Sequence, residues 1–256
     1  MARLDPPWPT QLERDLTELK LLEIAKGYRE VLDEAARKGS SMLEVLATLI
    51  GMEQTVRQQR ALERRLRQAR LPKQKTLAGY DFAFPKRVPK TALVRLFDCD
   101  FIPRHGCAVL IGPTGTGKTH LLTALGYTAC ERGYSVCYTR VVDMLNHLTT
   151  AQINGRLAKA LKTYVRPQVL LLDELGYLPI DKRGADLLFQ VVAARYESGS
   201  IVLTTNRTFR EWGTLFDVDN TLATALIDRL MHHGEALVLH GGSYRMKDKG
   251  DDSASA

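Results

Sequence analysis

The chain has 256 residues, of which 45% are hydrophobic and 25% are charged, and its formal net charge is +7. This length and composition allow one large domain or two smaller ones with a sizeable core, and they exclude a chain that is disordered throughout. No stretch of about 18 apolar residues occurs, so no membrane span is expected, and the amino terminus lacks the apolar segment of a secretory signal.

Residues 1–75 are predicted to form a small all-helical domain. Apolar side chains recur at roughly helical spacing from residue 10 to about residue 38, which predicts one amphipathic helix. Gly39 is the expected end of this helix, because glycine readily adopts the left-handed conformation found at helix C-termini.

A second helix is predicted to follow at once. Ser40 or Ser41 can cap it, and Ser41 and Glu44 have the spacing of a capping box, in which each side chain bonds the backbone N–H of the other. The helix is expected to continue to Ala69 or Arg70 and to end ahead of Pro72, because proline disfavours helical backbone in the residue before it.

The net positive charge is concentrated in residues 54–75. This window holds eight basic side chains and one acid, Glu63, so it nets +7 and the remaining residues sum to zero. A basic helix is most often only a solvated face, but an excess of this size also suits binding to the phosphates of double-stranded DNA with little sequence preference. The candidate DNA-binding residues are Arg57, Arg60, Arg64, Arg65, Arg67, Arg70, Lys73 and Lys75.

Residues 76–250 are predicted to form an α/β domain, and residues 251–256 a disordered tail. An irregular linker over residues 73–90 leads into the α/β domain. Short apolar runs then alternate with helical patterns, which predicts a parallel sheet covered by helices on both faces. The five candidate strands are residues 107–112, 135–140, 168–173, 200–205 and 236–240.

Residues 112–119 read Gly-Pro-Thr-Gly-Thr-Gly-Lys-Thr, a complete phosphate-loop motif between a predicted strand and a predicted helix. Its glycines allow backbone N–H groups to approach a phosphate. Lys118 is expected to reach the β- and γ-phosphates, and the Thr119 hydroxyl to ligate Mg²⁺. The candidate nucleotide-binding residues are Gly112, Pro113, Thr114, Gly115, Thr116, Gly117, Lys118, Thr119 and His120.

The third candidate strand ends in two acids, Asp173 and Glu174, at the edge where open α/β sheets bind their ligands. Asp173 is suited to hold Mg²⁺ beside Thr119, and Glu174 is the candidate base that polarises an attacking water. An apolar run that ends in two acids is a weak signal alone, because a strand leading into a polar loop looks the same. Its place after a full phosphate loop predicts an ATPase.

The fourth candidate strand leads into Asn206. An amide at this place is suited to hold the attacking water or the γ-phosphate. A second interpretation is that Asn206 only leads into a helix, because Thr208 and Glu211 match a capping box just beyond it. The two roles are compatible.

The cysteines and histidines predict no metal centre. The six histidines are scattered, and the His232-His233 pair lacks the cysteine or carboxylate pattern of a zinc site. Four cysteines without C-x-x-C spacing predict a reduced cytoplasmic protein with structural thiols. They are Cys99, Cys107, Cys130 and Cys137.

Taken in order, these motifs resemble an AAA+ ATPase of the initiator and helicase-loader group. More narrowly, the chain resembles the IstB-like helpers of bacterial insertion-sequence transposition, which are relatives of the helicase loader DnaC. The resemblance covers nearly the whole chain and implies an AAA+ P-loop fold without a separate helical lid. It is carried by Gly112–Thr119, Asp173-Glu174, Thr204-Thr205-Asn206, Ile227-Asp228-Arg229-Leu230 and Gly242-Ser243-Tyr244-Arg245.

The resemblance also implies roles for two arginines. By match, Arg229 acts on the nucleotide of the neighbouring subunit, and Arg245 acts in cis as a second sensor. The fixed, charged fork of arginine suits the charge on a transferring γ-phosphoryl group. The alternative for Arg229 is a surface ion pair with Asp228 or Glu235, and Arg195 is expected on a helix surface.

The function implied is that of an ATP-dependent transposition helper that requires ATP and Mg²⁺. Such a helper oligomerises with itself on double-stranded DNA and recruits and stimulates the transposase of the same element. A DnaC-like replicative helicase loader shares the ATPase core and is the first alternative. A nucleotide-gated adaptor that does not hydrolyse ATP is the second, and Glu174 argues against it.

Overall fold

The computed structural model describes residues 8–83, 88–216 and 220–244. By its internal contacts the chain divides into two compact units, Met1–Arg64 and Arg65–Ala256. The domain boundary expected at residue 75 stays a prediction. Within the described ranges, none of the helices has the length and apolar character needed to cross a membrane.

The first unit is helical. It contains α1 (Trp8–Glu18), α2 (Leu22–Lys38) and most of α3 (Met42–Ala69). The predicted end of α2 is confirmed, because Gly39 follows it with a φ of 69°. The predicted capping box is confirmed as well: Glu44 N–H donates to Ser41 Oγ at 3.3 Å, and Ser41 N–H donates to Glu44 Oε2 at 2.7 Å.

The prediction of a single helix over residues 10–38 is wrong, because the chain breaks between α1 and α2. Lys20 adopts a left-handed φ of 58°. Two side chains of α3 stabilise the break: Arg57 donates to the Lys20 carbonyl oxygen at 2.8 Å, and the buried Glu53 accepts from Glu23 N–H at 2.8 Å. Since these partners are distant in sequence, local periodicity cannot reveal the break.

The second unit is an α/β domain. Its strands are β1 (Cys107–Ile111), β2 (Val136–Arg140), β3 (Val169–Leu175), β4 (Ser200–Thr205) and β5 (Gly234–Val238). Its helices are α4 (Lys90–Phe97), α5 (Lys118–Glu131), α6 (Val141–Ile153), α7 (Leu157–Val165), α8 (Lys182–Arg195), α9 (Trp212–Leu215) and α10 (Asn220–Met231).

The five strands form one parallel sheet in the order β2-β3-β4-β1-β5. All five predicted strands are confirmed, although β5 begins at Gly234 rather than at residue 236. β3 runs on to Leu175 and so includes both acids of the predicted site. Between β5 and Tyr244, the last described residue, there is no α-helix.

Helices cover both faces of the sheet, as the side chains of β3 illustrate, because they contact helices on opposite faces in alternation. Leu170 and Leu172 are buried in the large apolar cluster that also contains residues of α6, α8 and α10. Leu171 points to the other face, towards α5. A Cβ on Gly126 of α5 would lie 2.7 Å from Leu171 Cδ1 and 2.5 Å from Leu71 Cδ2, so glycine is required for this close packing. The parallel strands thus present their carboxyl ends at one edge, beside the start of α5.

The thiols are structural, as expected. Cys107 begins β1 and Cys137 lies in β2, and all four cysteines are free. Burial raises the pKa of Cys99 and of Cys130 to about 11. These two thiols therefore stay protonated at neutral pH.

Arg195 is not on a helix surface, which corrects the expectation from sequence. Its side chain is 1% exposed. The two terminal nitrogens donate to five carbonyl oxygens, at 2.7–3.0 Å, and burial lowers the guanidinium pKa to about 10. The acceptors belong to Tyr164, Val165, Pro167, Gln168 and Ser200. One side chain thus joins the end of α7 to the starts of β3 and β4.

Arg195→Leu is expected to lower the free energy of unfolding by about 3 kcal/mol or more, because five carbonyl oxygens lose their donor in a buried place. Urea unfolding followed by circular dichroism measures the change. The exposed Arg183 of α8 supplies the control, and Arg183→Leu should change the same quantity by less than about 0.5 kcal/mol. Equal effects of the two substitutions would contradict the structural role of Arg195.

Candidate nucleotide-binding site

The phosphate loop joins the end of β1 to the start of α5, as predicted. Gly115 and Gly117 have φ angles of 86° and 88°, in the left-handed region that favours glycine. A Cβ on Gly117 would also lie 2.5 Å from Cε2 of Tyr80. Both backbone conformation and packing therefore require glycine in a loop of the type that binds phosphate ahead of a helix N-terminus.

Lys118, the first residue of α5, lies against the loop. Its Nζ donates to the carbonyl oxygens of Gly112 at 2.7 Å and Pro113 at 2.8 Å. The Thr116 hydroxyl donates to the Pro113 carbonyl at 2.9 Å. The ammonium group is thereby held at the helix N-terminus, where a cation and backbone N–H groups together suit an anionic ligand.

The linker segment (residues 70–82) runs along α5 from its C-terminal end to the phosphate loop. The Tyr127 hydroxyl donates to the Pro72 carbonyl at 3.2 Å, and a His120 ring nitrogen lies 2.8 Å from the Thr76 carbonyl. The buried Tyr80 donates its hydroxyl to the Thr116 carbonyl at 2.9 Å. The linker segment therefore contacts the same loop that would hold a phosphate.

A cavity of about 310 Å³ lies between the linker segment and the phosphate loop. Its lining combines cationic side chains, aromatic rings and the loop backbone, a mixture that suits a nucleotide. Tyr80 and His120 contact edge to face, with ring centroids 5.6 Å apart. The lining includes Lys73, Lys75, Tyr80, Asp81, His120 and Tyr244 together with Gly115–Thr119.

Asp173 is buried at the carboxyl end of β3, 1% exposed. The Thr119 hydroxyl donates to its Oδ1 at 3.2 Å, so the two predicted Mg²⁺ ligands do lie side by side. Two further hydroxyls donate to the same carboxylate: that of Tyr138 to Oδ2 at 2.8 Å, and that of Thr204 to Oδ1. Three hydroxyl donors hold this carboxylate in one orientation.

Tyr138 is a site residue that the sequence interpretation missed, and Thr204, which belongs to a motif of the resemblance, had been given no role of its own. Burial and the neighbouring Asp173 carboxylate raise the pKa of the Tyr138 hydroxyl well above its usual value, so it stays a donor. The order of the strands explains both contacts, because β2 and β4 flank β3 and Arg140 of β2 pairs with Asp173 of β3 in register. Side chains near the ends of both neighbouring strands can therefore reach the acid.

Glu174 and Asn206 meet at one small cavity, which Lys118 and Thr119 also line. The Glu174 backbone N–H donates to the Thr204 hydroxyl at 2.9 Å, and its φ is 63°. A left-handed conformation in a residue other than glycine is strained and is often found at functional sites. The capping box of Thr208 and Glu211 is present, so the second interpretation of Asn206 is confirmed, and its role towards an attacking water or the γ-phosphate stays a prediction.

Arg229 lies at the opposite edge of the sheet from the phosphate loop. It lines a small cavity with Cys107, the first residue of β1, and with His233, which precedes β5. Its guanidinium donates to the Ala225 carbonyl at 3.1 Å and stands 4.7 Å from the ring centroid of Phe189. The length of β1, about 15 Å for five residues, therefore separates Arg229 from the phosphate loop of its own chain.

Arg245 lies outside the described residues, so its role stays a prediction. The residues before it do reach the phosphate loop. Tyr244 N–H donates to the Gly115 carbonyl at 3.0 Å, and a Cβ on Gly115 would lie 2.2 Å from Ser243 Oγ. The Gly-Ser-Tyr segment thus passes directly over the loop.

The eight basic residues of the segment 54–75 have four different surroundings. Arg57 and Arg60 form ion pairs with Glu53 and Glu23 inside the first unit. In the second unit, Arg65 donates to the Cys130 carbonyl at 2.8 Å. Two lysines line the cavity beside the phosphate loop, Lys73 and Lys75. The remaining three are exposed and form no ion pair with any described residue: Arg64, Arg67 and Arg70.

The sequence matches a known protein family over most of its length. The family of IstB-like ATP binding proteins matches residues 14–252. A putative ATP-binding protein of insertion sequence IS21 from Pseudomonas aeruginosa is 39% identical over 239 residues, which are 93% of this chain and 90% of that protein. The corresponding protein of IS5376 from Geobacillus stearothermophilus is 37% identical over 231 residues, 90% of this chain and 92% of its own length.

Solved structures support the fold alone. AMPPCP-bound DnaA from Aquifex aeolicus aligns with a TM-score of 0.57 at 22% identity, over 73% of this chain and 57% of its own. The DnaC helicase loader aligns with a TM-score of 0.53 at 23% identity, over 62% of this chain and 95% of its own. Both similarities agree with the AAA+ P-loop fold.

Proposed function

This chain belongs to the family of IstB-like ATP binding proteins, and on that premise we propose that it is an ATPase which assembles on DNA and recruits a transposase. The observation that carries the ATPase proposal is the convergence of Lys118, Thr119, Glu174 and Asn206 on one cavity beside the buried Asp173. Nucleotide binding alone would not require a second acid, Glu174, in a strained backbone conformation next to Asp173.

Hydrolysis rests on the position of Glu174. Its carboxylate accepts a proton from the water that attacks the γ-phosphorus, and the bond from that phosphorus to the β,γ-bridging oxygen breaks. The Asn206 amide orients the water, and Lys118 faces the phosphate oxygens. The Thr204 hydroxyl donates to Asp173 and accepts from Glu174 N–H. One side chain therefore fixes the positions of the two acids relative to each other.

The donor set of Thr119 and Asp173 fits Mg²⁺, which prefers oxygen ligands and binds through few carboxylates. When bound with ATP, Mg²⁺ neutralises charge on the phosphates. Tyr138 acts as a positioning residue in this arrangement, because its hydroxyl bond keeps the Asp173 carboxylate turned towards Thr119.

We infer self-assembly from the separation of two functional groups. Arg229 and the phosphate loop occupy opposite edges of the sheet, so Arg229 is too far away to serve the nucleotide of its own chain. A head-to-tail contact between copies brings the Arg229 edge of one subunit to the phosphate edge of the next. ATP bound at such a junction is shared by two subunits, and Arg245 acts on it from the subunit that binds it.

DNA binding is assigned to the exposed arginines Arg64, Arg67 and Arg70. The linker segment begins at Arg70 and contacts the phosphate loop through Tyr80 and helix α5 through Tyr127, which connects the nucleotide site to the part of this basic surface that belongs to the second unit. Lys73 and Lys75 line the nucleotide cavity and are assigned to the nucleotide rather than to DNA.

Replacing Arg64, Arg67 and Arg70 together by alanine is expected to weaken duplex DNA binding. If each arginine contacts one phosphate, the negative slope of log affinity against log salt should become less steep by about 2.7. Fluorescence anisotropy with ATP at several salt concentrations measures this slope. The matched control removes three exposed charges elsewhere, Arg14, Lys182 and Arg183, and should leave the slope unchanged. Identical slopes for both triple variants would overturn the DNA surface.

A helicase-loader function remains the alternative, because it uses the same ATPase core. The two insertion-sequence relatives are 39% and 37% identical over nine-tenths of the chain, whereas the DnaC helicase loader, at 23% identity, is similar in fold alone. This difference favours the transposition function. Retention of a transposase, rather than a replicative helicase, on the DNA-bound protein distinguishes the two.

A further inference from the structure

Three potential metal ligands converge in the second unit, away from the nucleotide site. Glu197 lies in the turn between α8 and β4, and His232 and His233 lie in the turn between α10 and β5. A carboxylate oxygen and one ring nitrogen of each histidine are all within 4.8 Å of one another. His233 Nε2 is 3.7 Å from Glu197 Oε1.

The surroundings of this cluster favour metal binding. His232 Nδ1 lies 2.8 Å from the Tyr196 hydroxyl oxygen. When Nδ1 carries the proton and donates it to this oxygen, the lone pair of Nε2 is available to a metal, which is the usual tautomer arrangement of ligating histidines. Glu197 has a left-handed φ of 54°, a strained conformation that is consistent with a functional turn.

We propose that Glu197, His232 and His233 form a site for a divalent transition-metal ion, with Zn²⁺ as the best match. Two imidazoles and one carboxylate are a ligand set that zinc uses, with bonds of about 2.0–2.2 Å. In a tetrahedral site such bonds place ligand atoms about 3.4 Å apart, so the three exposed side chains, whose ligand atoms lie within 4.8 Å of one another, close by at most about 1.4 Å. Imidazole ligands disfavour Ca²⁺ and Mg²⁺.

This site corrects the expectation that the His232-His233 pair lacks a carboxylate partner. The partner, Glu197, comes from a different turn, and only the packing of α8 beside α10 brings the three side chains together. A bound ion cross-links the two turns. His233 and Glu197 also line the cavity that contains Arg229, so on the proposed function the ion fixes the edge that carries this arginine.

Binding of Co²⁺ and Zn²⁺ to the full chain without nucleotide or DNA tests the site independently of any ATPase function. Co²⁺ should bind at one equivalent with the absorption of tetrahedral nitrogen and oxygen ligation, and Zn²⁺ should displace it. His232→Ala and His233→Ala should each lower the affinity by at least tenfold, and Tyr196→Phe by about tenfold through loss of the supporting bond.

The exposed His240, outside the cluster, is the control, and His240→Ala should bind Co²⁺ as the unaltered chain does. Thermal unfolding of every variant without metal verifies that it is folded, and Zn²⁺ should raise the melting temperature of the unaltered chain and of His240→Ala only. The absence of stoichiometric binding, a cobalt–thiolate absorption band, or equal affinity in His232→Ala and His240→Ala would each overturn the proposal.

Discussion

Lys118→Ala is expected to lower the affinity for ATP about 100-fold. The ammonium group is the cation held at the phosphate loop by the carbonyls of Gly112 and Pro113. Loss of its charge-assisted bonds to phosphate is expected to cost about 2.8 kcal/mol of binding free energy, which corresponds to this change in affinity. Titration with a fluorescent ATP analogue measures the affinity. ATP-dependent assembly should be lost with it at ordinary nucleotide concentrations.

The matched control for Lys118 is Lys182. Both lysines are the first residue of a helix, α5 and α8, but Lys182 is exposed and lines neither of the two cavities at the phosphate loop. Lys182→Ala should therefore bind ATP with unchanged affinity. A Lys118→Ala protein that melts normally and still binds ATP tightly would contradict the assignment of the phosphate loop.

Glu174→Gln is expected to reduce the turnover number for ATP by 10²- to 10⁴-fold, the range typical for loss of a positioned general base. Glutamine has nearly the same shape and can keep the backbone bond from residue 174 to Thr204, so ATP and DNA binding should persist. Phosphate release measures turnover, and anisotropy measures DNA binding in parallel.

The control for this change is Glu131→Gln, the same substitution at an exposed acid at the end of α5. It should leave turnover within twofold of the unaltered protein. Normal turnover by Glu174→Gln would transfer the base function to another residue, whereas simultaneous loss of ATP binding would indicate that Glu174 supports the fold of the site.

The sheet could be predicted from the sequence because its signals are local. Apolar runs such as residues 169–172 and 201–203 are buried on both faces, and each is flanked by turn or helix patterns. The break between α1 and α2 and the buried Arg195 could not be predicted in this way. Both depend on partners that are far away in sequence. The break depends on Glu53 and Arg57 of α3, and the burial of Arg195 depends on carbonyl groups at the end of α7 and the starts of β3 and β4.

The candidate site divides along the same line. Lys118, Thr119, Asp173 and Glu174 follow from motifs whose spacing is fixed by the phosphate-loop fold. Tyr138 was not predicted, because a tyrosine near a strand end has no local feature that marks it as a partner of an acid. Its contact depends on the order β2-β3 in the sheet.

The basic segment illustrates a different difficulty. Net charge identified eight candidates, but charge does not reveal which side chains already have partners within the fold. Arg57 and Arg60 are paired with acids, and Arg65 bonds a helix-end carbonyl. The candidates for DNA binding therefore narrow to Arg64, Arg67 and Arg70, and only the tertiary structure distinguishes these three from the other five.

The central claim is that each active site is completed by Arg229 of a neighbouring subunit. Mixing Arg229→Ala with Glu174→Gln subunits one to one tests it most directly, with phosphate release as the measurement. In a head-to-tail assembly about one junction in four then combines an intact Glu174 with an intact Arg229. We predict recovery to about one quarter of the normal turnover, although each variant alone is nearly inactive. Turnover no greater than the sum of the separate variants would contradict a shared site.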